Sequence, residues 1–188
     1  MSTTTPRARA LAVLGLLLAI GAAAYFAGCG PVKRPDGGQG LLPVGASAPD
    51  VVAKDARDGE VRLSALRGHP VVVYFYPADG TPGCTKEACA FRDTWARFES
   101  ANVGVIGVSS NSLSSHATFR KEQNLPFPLA ADEEGSVASA YGVSKKLWGY
   151  DRVTFLVDKD GKVAKVWPSV DPAIHAEEVL AEASRLSP

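Results

Sequence analysis

Cysteine is scarce in this 188-residue chain: there are three, Cys29, Cys84 and Cys89, and an odd number cannot complete a disulfide framework. No two of them form a C-x-x-C pair. Neither sign of charge is in excess, since twenty Lys and Arg balance twenty Asp and Glu. A neutral chain has no electrostatic footprint for nucleic acid, which excludes that partner and disfavours acidic polymers and anionic membrane surfaces. Histidine is sparse and scattered, at positions 69, 116 and 175, with none of the local pairing that histidine metal sites show. His116 reads as a structural residue. No Gly-rich phosphate loop follows a strand, so no nucleotide is implied, and no cofactor or metal is expected.

What is abundant comes first in the chain. The start MSTTTPRARA carries Arg7 and Arg9 without an acid, and the uncharged run LAVLGLLLAIGAAAYFAG leads to Cys29. A basic start, an apolar stretch and small residues are the layout of an export signal. Phe-Ala-Gly-Cys at 26–29 resembles the bacterial lipobox, in which the cysteine is lipid-modified and becomes the new N-terminus. Ala10 to Gly28 also spans 19 residues, close to the roughly 20 that cross a bilayer, so a retained signal anchor is the alternative. Either way residues 1–28 are addressing, and the remainder is expected to be exported and tied to a membrane. The Gly- and Pro-rich stretch GPVKRPDGGQG, with Cys29 before it, reads as a flexible tether over 29–40. One folded domain over 41–188 is expected, without internal repeats.

Within that domain VVVYFY at 71–76 is a continuous apolar run bounded by Pro70 and Pro77, the pattern of a buried central strand. VGVIGVS at 103–109 is a second. RVTFLV and KVAKVW flank the turn Asp158-Lys-Asp-Gly161 and predict a hairpin over 152–167. That turn lacks the ligand spacing of a calcium loop. Helices are predicted near 84–99, 112–123, 134–141 and 172–186, with a short helical turn at 64–67 and an early hairpin around 51–63. Strands alternating with helices and closing on a hairpin imply an α/β class with a central sheet of mixed direction.

The informative stretch is YFYPADGTPGCTKEACAFRD, 74–93. A strand ends, a Pro/Gly-rich loop follows, and a helix begins at or next to Cys84. Cys84, Ala88, Phe91, Trp95 and Phe98 draw one apolar stripe, so Cys84 heads the buried face in the first turn. Unpartnered amides and the positive end of the helix dipole favour a thiolate there. Cys89, five residues on, lies about 140° around the helix and about 7.5 Å along it. A disulfide between the two requires the first turns to unwind. The residues alone leave three readings open: two inert cysteines, a fixed short-loop disulfide, or a redox pair.

YPADGTPGCTKEACAFRD resembles the active-site motif of peroxiredoxins, in particular the peroxiredoxin Q or bacterioferritin-comigratory group. VGASAPD, GEVRLSALRGHPVVVYFYP, GVSSNSLSSHATFRKEQNLPFPLAAD and DRVTFLVDKDGKV follow in that group's order, over about 41–185. The resemblance implies a thioredoxin-like fold and thiol-dependent reduction of hydrogen peroxide and organic hydroperoxides. It assigns Cys84 as the peroxidatic cysteine, Thr81 as the residue orienting the peroxide, Pro77 as the shield of the pocket and Arg152 as the partner of the thiolate. It assigns Cys89 as the resolving cysteine, and a thioredoxin-like protein is the expected reductant; a monomer is the expected state. A thiol–disulfide oxidoreductase or redox sensor using the same pair is the alternative, and Thr81 and Arg152 discriminate, because disulfide exchange needs no peroxide clamp. Trp148 and Tyr150 are candidates to line the pocket.

Overall fold

The computed structural model describes residues 30–55 and 59–186. The chain divides into units Met1–Pro31 and Val32–Pro188, and the fold belongs to the second. Cys29 and the expected signal or anchor segment lie outside the described residues. Among the described residues no helix is long and apolar enough to cross a membrane.

The elements run β1 (Val52–Asp55), β2 (Gly59–Arg62), a 3-10 turn (Leu63–Leu66), β3 (Val71–Phe75), α1 (Pro82–Asp93), α2 (Trp95–Ser100), β4 (Gly104–Ser109), α3 (Leu113–Gln123), β5 (Leu129–Ala131), α4 (Ser136–Tyr141), β6 (Lys145–Lys146), β7 (Gly149–Tyr150), β8 (Val153–Val157), β9 (Val163–Trp167) and α5 (His175–Ala183). Seven strands form one sheet in the order β2-β1-β5-β4-β3-β8-β9, with β6 and β7 paired separately. β3 pairs parallel with β4 and antiparallel with β8, and β4 pairs parallel with β5. Helices against a mixed central sheet make this a thioredoxin-like α/β fold, as expected.

β3 is buried on both faces because its run is apolar at every position. Its alternation sends Val71, Val73 and Phe75 into one core cluster, with Ile106, Val108 and Phe155. Val72, Tyr74 and the following Tyr76 enter another, with Cys84, Ala88, Phe91 and Phe98. The cysteine helix therefore packs on a defined face of the sheet.

Three features depart from the sequence reading. The helix expected over 84–99 is two, broken at Thr94, whose φ and ψ are −93° and −1°. The break lets Phe91 and Phe98 both reach the core, their ring centroids 5.7 Å apart. β5 is absent from the sequence reading because its three residues follow Pro126 and Pro128, too short a run for a period to register. Residues 32–40, expected as flexible tether, instead form a hydrogen-bonded loop. Gly40 N–H bonds the Val32 carbonyl at 2.7 Å. The buried Arg34 guanidinium donates to the carbonyls of Gly40 and Leu41, at 2.9 and 3.2 Å. A guanidinium that satisfies several carbonyls orders a loop whose Gly and Pro content suggested none.

Candidate active site

The chain leaves β3 at Phe75 and enters the loop 77–81, turning at Gly80, where φ is +70°. Thr81 is extended (φ −72°, ψ 146°) and Pro82 opens α1, a position suited to a residue without an N–H. Cys84 is thus the third helical residue, 2% exposed, where amides lack intrahelical partners.

Arg152 stands immediately before β8, and the antiparallel register sets Val153 opposite Phe75, the last residue of β3. That pairing delivers a guanidinium from 68 residues away to the point where the cysteine loop departs. Arg152 Nη2 donates to Cys84 Sγ at 3.3 Å. Its Nη1 donates to Glu87 Oε2. Glu87 is fully buried, and its Oε1 has no hydrogen-bond partner among the described residues. Burial pushes the Glu87 carboxyl up to about 7, against the opposing pull of Arg152. Sequence reasoning misses Glu87. The available signal is a carboxylate three residues after Cys84, on the same stripe of the helix.

The wall behind this trio is also polar. Tyr74, stacked on Phe91 at 4.9 Å, has a buried hydroxyl without a partner among the described residues. Burial, then the charges of Glu87 and Cys84, raise its phenol well above the usual range, so it keeps its proton. His175 Nε2 lies 2.8 Å from Thr154 Oγ1, and burial together with the charge of Arg152 lowers the ring to about 4. His175 is therefore neutral at neutral pH and adds no second cation beside the thiol.

The other expected residues take different places. Pro77 packs against the β6–β7 hairpin so closely that a Cβ on Gly149 (φ +111°) would stand 1.9 Å from the Pro77 carbonyl oxygen. The Thr81 hydroxyl donates to the Ala78 carbonyl at 3.0 Å and caps no helix amide. Cys89 is half-buried, with Sγ 3.6 Å from Gln123 Oε1, while Arg92 Nη1 donates to the Gln123 carbonyl at 2.8 Å. Cys84 and Cys89 are both free thiols within one intact helix. Trp148 is 83% exposed and Tyr150 is buried against Asp132, at 2.9 Å, so neither bonds the sulfur.

A sulfur at a helix start, facing a permanently charged fork of donors, is arranged for nucleophilic attack in which the displaced oxygen gains negative charge. The AhpC/TSA family model matches residues 44–166. The chain belongs to this family, in its peroxiredoxin Q/Bcp branch. Its peroxiredoxin relatives include peroxiredoxin Bcp of Bacillus subtilis, 40% identical over 146 residues, 74% of this chain and 93% of that one. Chloroplastic peroxiredoxin Q of Sedum lineare is 45% identical over 139 residues, covering 72% and 75%. Among solved structures, peroxidoxin BcpB from Mycobacterium tuberculosis superimposes with a TM-score of 0.72 at 36% identity, covering 77% of this chain and 97% of that one. Peroxiredoxin Q of Xanthomonas campestris gives 0.70 at 32% identity, covering 78% and 98%. As a peroxiredoxin the chain is an enzyme, and its relatives support thiol peroxidase activity, with the thioredoxin dependence typical of the family.

Proposed function

We propose that this peroxiredoxin reduces hydrogen peroxide and organic hydroperoxides through Cys84, with Cys89 as resolving thiol. The single observation that carries the reading is the Arg152 Nη2 donor 3.3 Å from Cys84 Sγ in the first turn of α1. The Cys84 thiolate attacks one peroxide oxygen, an S–O bond forms, the O–O bond breaks, and the departing oxygen leaves as an alcohol or water after taking a proton. Arg152 stabilises both the thiolate and the charge developing on that oxygen. Pro77 shields the site, and the Thr81 hydroxyl, rotated away from Ala78, orients the peroxide. The sulfenic acid then condenses with the Cys89 thiol, releasing water and forming a disulfide. Because both cysteines lie in α1, that step requires the first turns to open. An external dithiol of the thioredoxin class takes the disulfide back to two thiols. A thiol–disulfide exchange function would use the guanidinium only to hold the thiolate, since exchange releases no oxygen anion.

The protein acts as a monomer outside the cytoplasm, held at a membrane through Cys29 acylation or a retained anchor. The support for export and anchoring is the basic–apolar–small pattern of residues 1–29.

Mass spectrometry of the full chain from the membrane fraction tests both parts. One equivalent of peroxide should remove two hydrogens and link Cys84 to Cys89, and Cys29 should carry acyl chains. Cys84→Ser should consume no peroxide, and Cys89→Ser should stop after one turnover at a sulfenic acid. Sustained native turnover in Cys89→Ser with the same reductant removes the resolving role, and residual peroxidase activity in Cys84→Ser removes the whole scheme.

A further inference from the structure

The loop ahead of Cys84 is held by a second buried charged group, separate from Arg152 and Glu87. Asp79 lies midway between Pro77 and Thr81, with its side chain 6% exposed. Its Oδ1 accepts from the Tyr76 hydroxyl at 2.8 Å. Its Oδ2 accepts from the Ser115 hydroxyl at 2.7 Å and faces His116 Nδ1 at 2.8 Å. Its own N–H donates to Asn111 Oδ1 at 3.0 Å. Burial opposes ionisation of this carboxyl, but the hydrogen bond and charge of His116, with the Ser115 and Tyr76 hydroxyls, hold it below the usual carboxylate value.

His116 is completely buried, and its Nε2 lies 3.3 Å from the Ala130 carbonyl oxygen of β5. Nδ1 thus faces a carboxylate, with the Tyr76 hydroxyl 3.4 Å away and already given to Asp79 Oδ1, while Nε2 faces a carbonyl. An acceptor at each ring nitrogen is satisfied in full only when both carry hydrogen. A buried carboxylate bonded to a buried histidine is costly unless its partners are satisfied, and it specifies one geometry. Here it ties the 77–81 loop to α3 and, through α3, to β5.

Beyond this the loop is tied by the close approach of Pro77 to Gly149, by the Thr81 hydroxyl on the Ala78 carbonyl and by the Thr85 N–H on the Thr81 carbonyl. The Thr81 side chain supplies no capping bond to α1, and Gly80 adds the freedom of a positive φ. Yet this loop sets where α1 begins, while Arg152 arrives from β8. The 3.3 Å contact between sulfur and guanidinium joins two elements whose relative placement the loop controls.

We propose that Asp79 and His116 form a buried clasp that positions the loop preceding Cys84, and that both are positioning residues for the peroxide step. The proposal rests on the peroxidase reading of Cys84. The clasp makes no hydrogen bond to Cys84 Sγ, whose donor is Arg152. It acts by keeping Thr81, the first-turn amides of α1 and Arg152 in register.

Two measurements on the full chain test it. In ¹⁵N NMR of the native reduced protein at neutral pH, His116 should show two slowly exchanging ring N–H resonances, assigned by their loss in His116→Gln. In single-turnover kinetics Asp79→Asn and His116→Gln should slow sulfenic acid formation by roughly ten- to a hundred-fold, the cost of misplacing reacting groups by about an ångström. The following disulfide step should be unchanged, a split that general destabilisation would not produce. Tyr76→Phe, which keeps the Asp79–His116 contact, should lose much less. A single ring N–H at His116 overturns the clasp, as does a native rate of sulfenic acid formation in a folded Asp79→Asn protein. If neither variant folds, the ring resonances of the native protein, assigned by through-bond correlation to the His116 side chain, still decide. A native protein that shows both resonances but consumes no peroxide refutes the peroxidase reading and leaves the buried pair standing.

Discussion

Replacing Glu87 by glutamine changes the charge of the site while keeping its shape, and its effect on stability follows from the burial of this carboxyl. The group titrates at 4.5 when solvated and at about 7 in the fold. Burial is the larger cause, and Arg152 only partly offsets it. The folded state therefore retains a proton that the unfolded chain gives up between those two values. Stability from this group is complete below pH 4.5 and is lost as pH rises through 7. Between pH 5 and pH 8 the loss comes to about 2 to 3 kcal/mol, at about 1.4 kcal/mol for each pH unit separating the two values. A glutamine side chain cannot titrate, so the variant lacks this contribution. Urea unfolding of both proteins at pH 5, 6, 7 and 8 gives the stability difference at each pH, and other titrating groups largely cancel in the subtraction. Relative to the native protein, Glu87→Gln should gain about 2 to 3 kcal/mol across that range, whatever its offset at pH 5. A difference that stays flat with pH, or one that falls as pH rises, refutes the assignment of Glu87 as a carboxyl disfavoured by burial.

Three further outcomes follow from the same geometry. Arg152→Lys keeps the charge but loses the fork that bonds Cys84 and Glu87 together, so the second-order rate with hydrogen peroxide should fall by about 10²- to 10³-fold, the range for losing one preorganised donor to a developing oxyanion; a loss below about fivefold contradicts a bidentate role. Gln123→Ala removes the side-chain partner of Cys89 while Arg92 keeps its backbone acceptor. It should speed disulfide formation a few-fold, by about one neutral hydrogen bond, and leave the peroxide step untouched in single-turnover fluorescence; slower resolution would show that Gln123 assists Cys89 rather than restraining it. Gly149→Ala places a Cβ against the Pro77 carbonyl at a backbone angle that L-residues avoid. It should lower the melting temperature and the peroxide rate together, and a native melting temperature shows that the hairpin yields without strain.

The architecture was largely legible wherever neighbouring residues carry the pattern. The apolar β-rich runs at 71–76 and 103–109, and the hairpin across Asp158–Gly161, became β3, β4 and the β8–β9 pair because continuous burial and turn chemistry are written locally. The stripe through Cys84, Ala88, Phe91 and Phe98 placed the cysteine on the buried face at a helix start, and Pro82 and Gly83 mark that start directly. The short β5 and the β6–β7 hairpin left no such trace, because two or three residues cannot display a period. The order of the loop at 32–40 was hidden for a different reason. It depends on where a single guanidinium finds its acceptors, which composition does not record.

By itself the sequence determined which sulfur heads a helix, which runs are buried strands and, through its resemblance to peroxiredoxins, which distant arginine belongs with that sulfur. Tertiary structure alone decided that Glu87 is a buried partner of Arg152 rather than a surface acid. It also decided that Asp79 meets a histidine facing acceptors on both sides, and that Cys89 rests on Gln123 of another helix. The physical reason is that periodicity states which face of an element is covered, whereas the order and register of the strands determine what covers it. A charge inside this protein takes its meaning from the second of these.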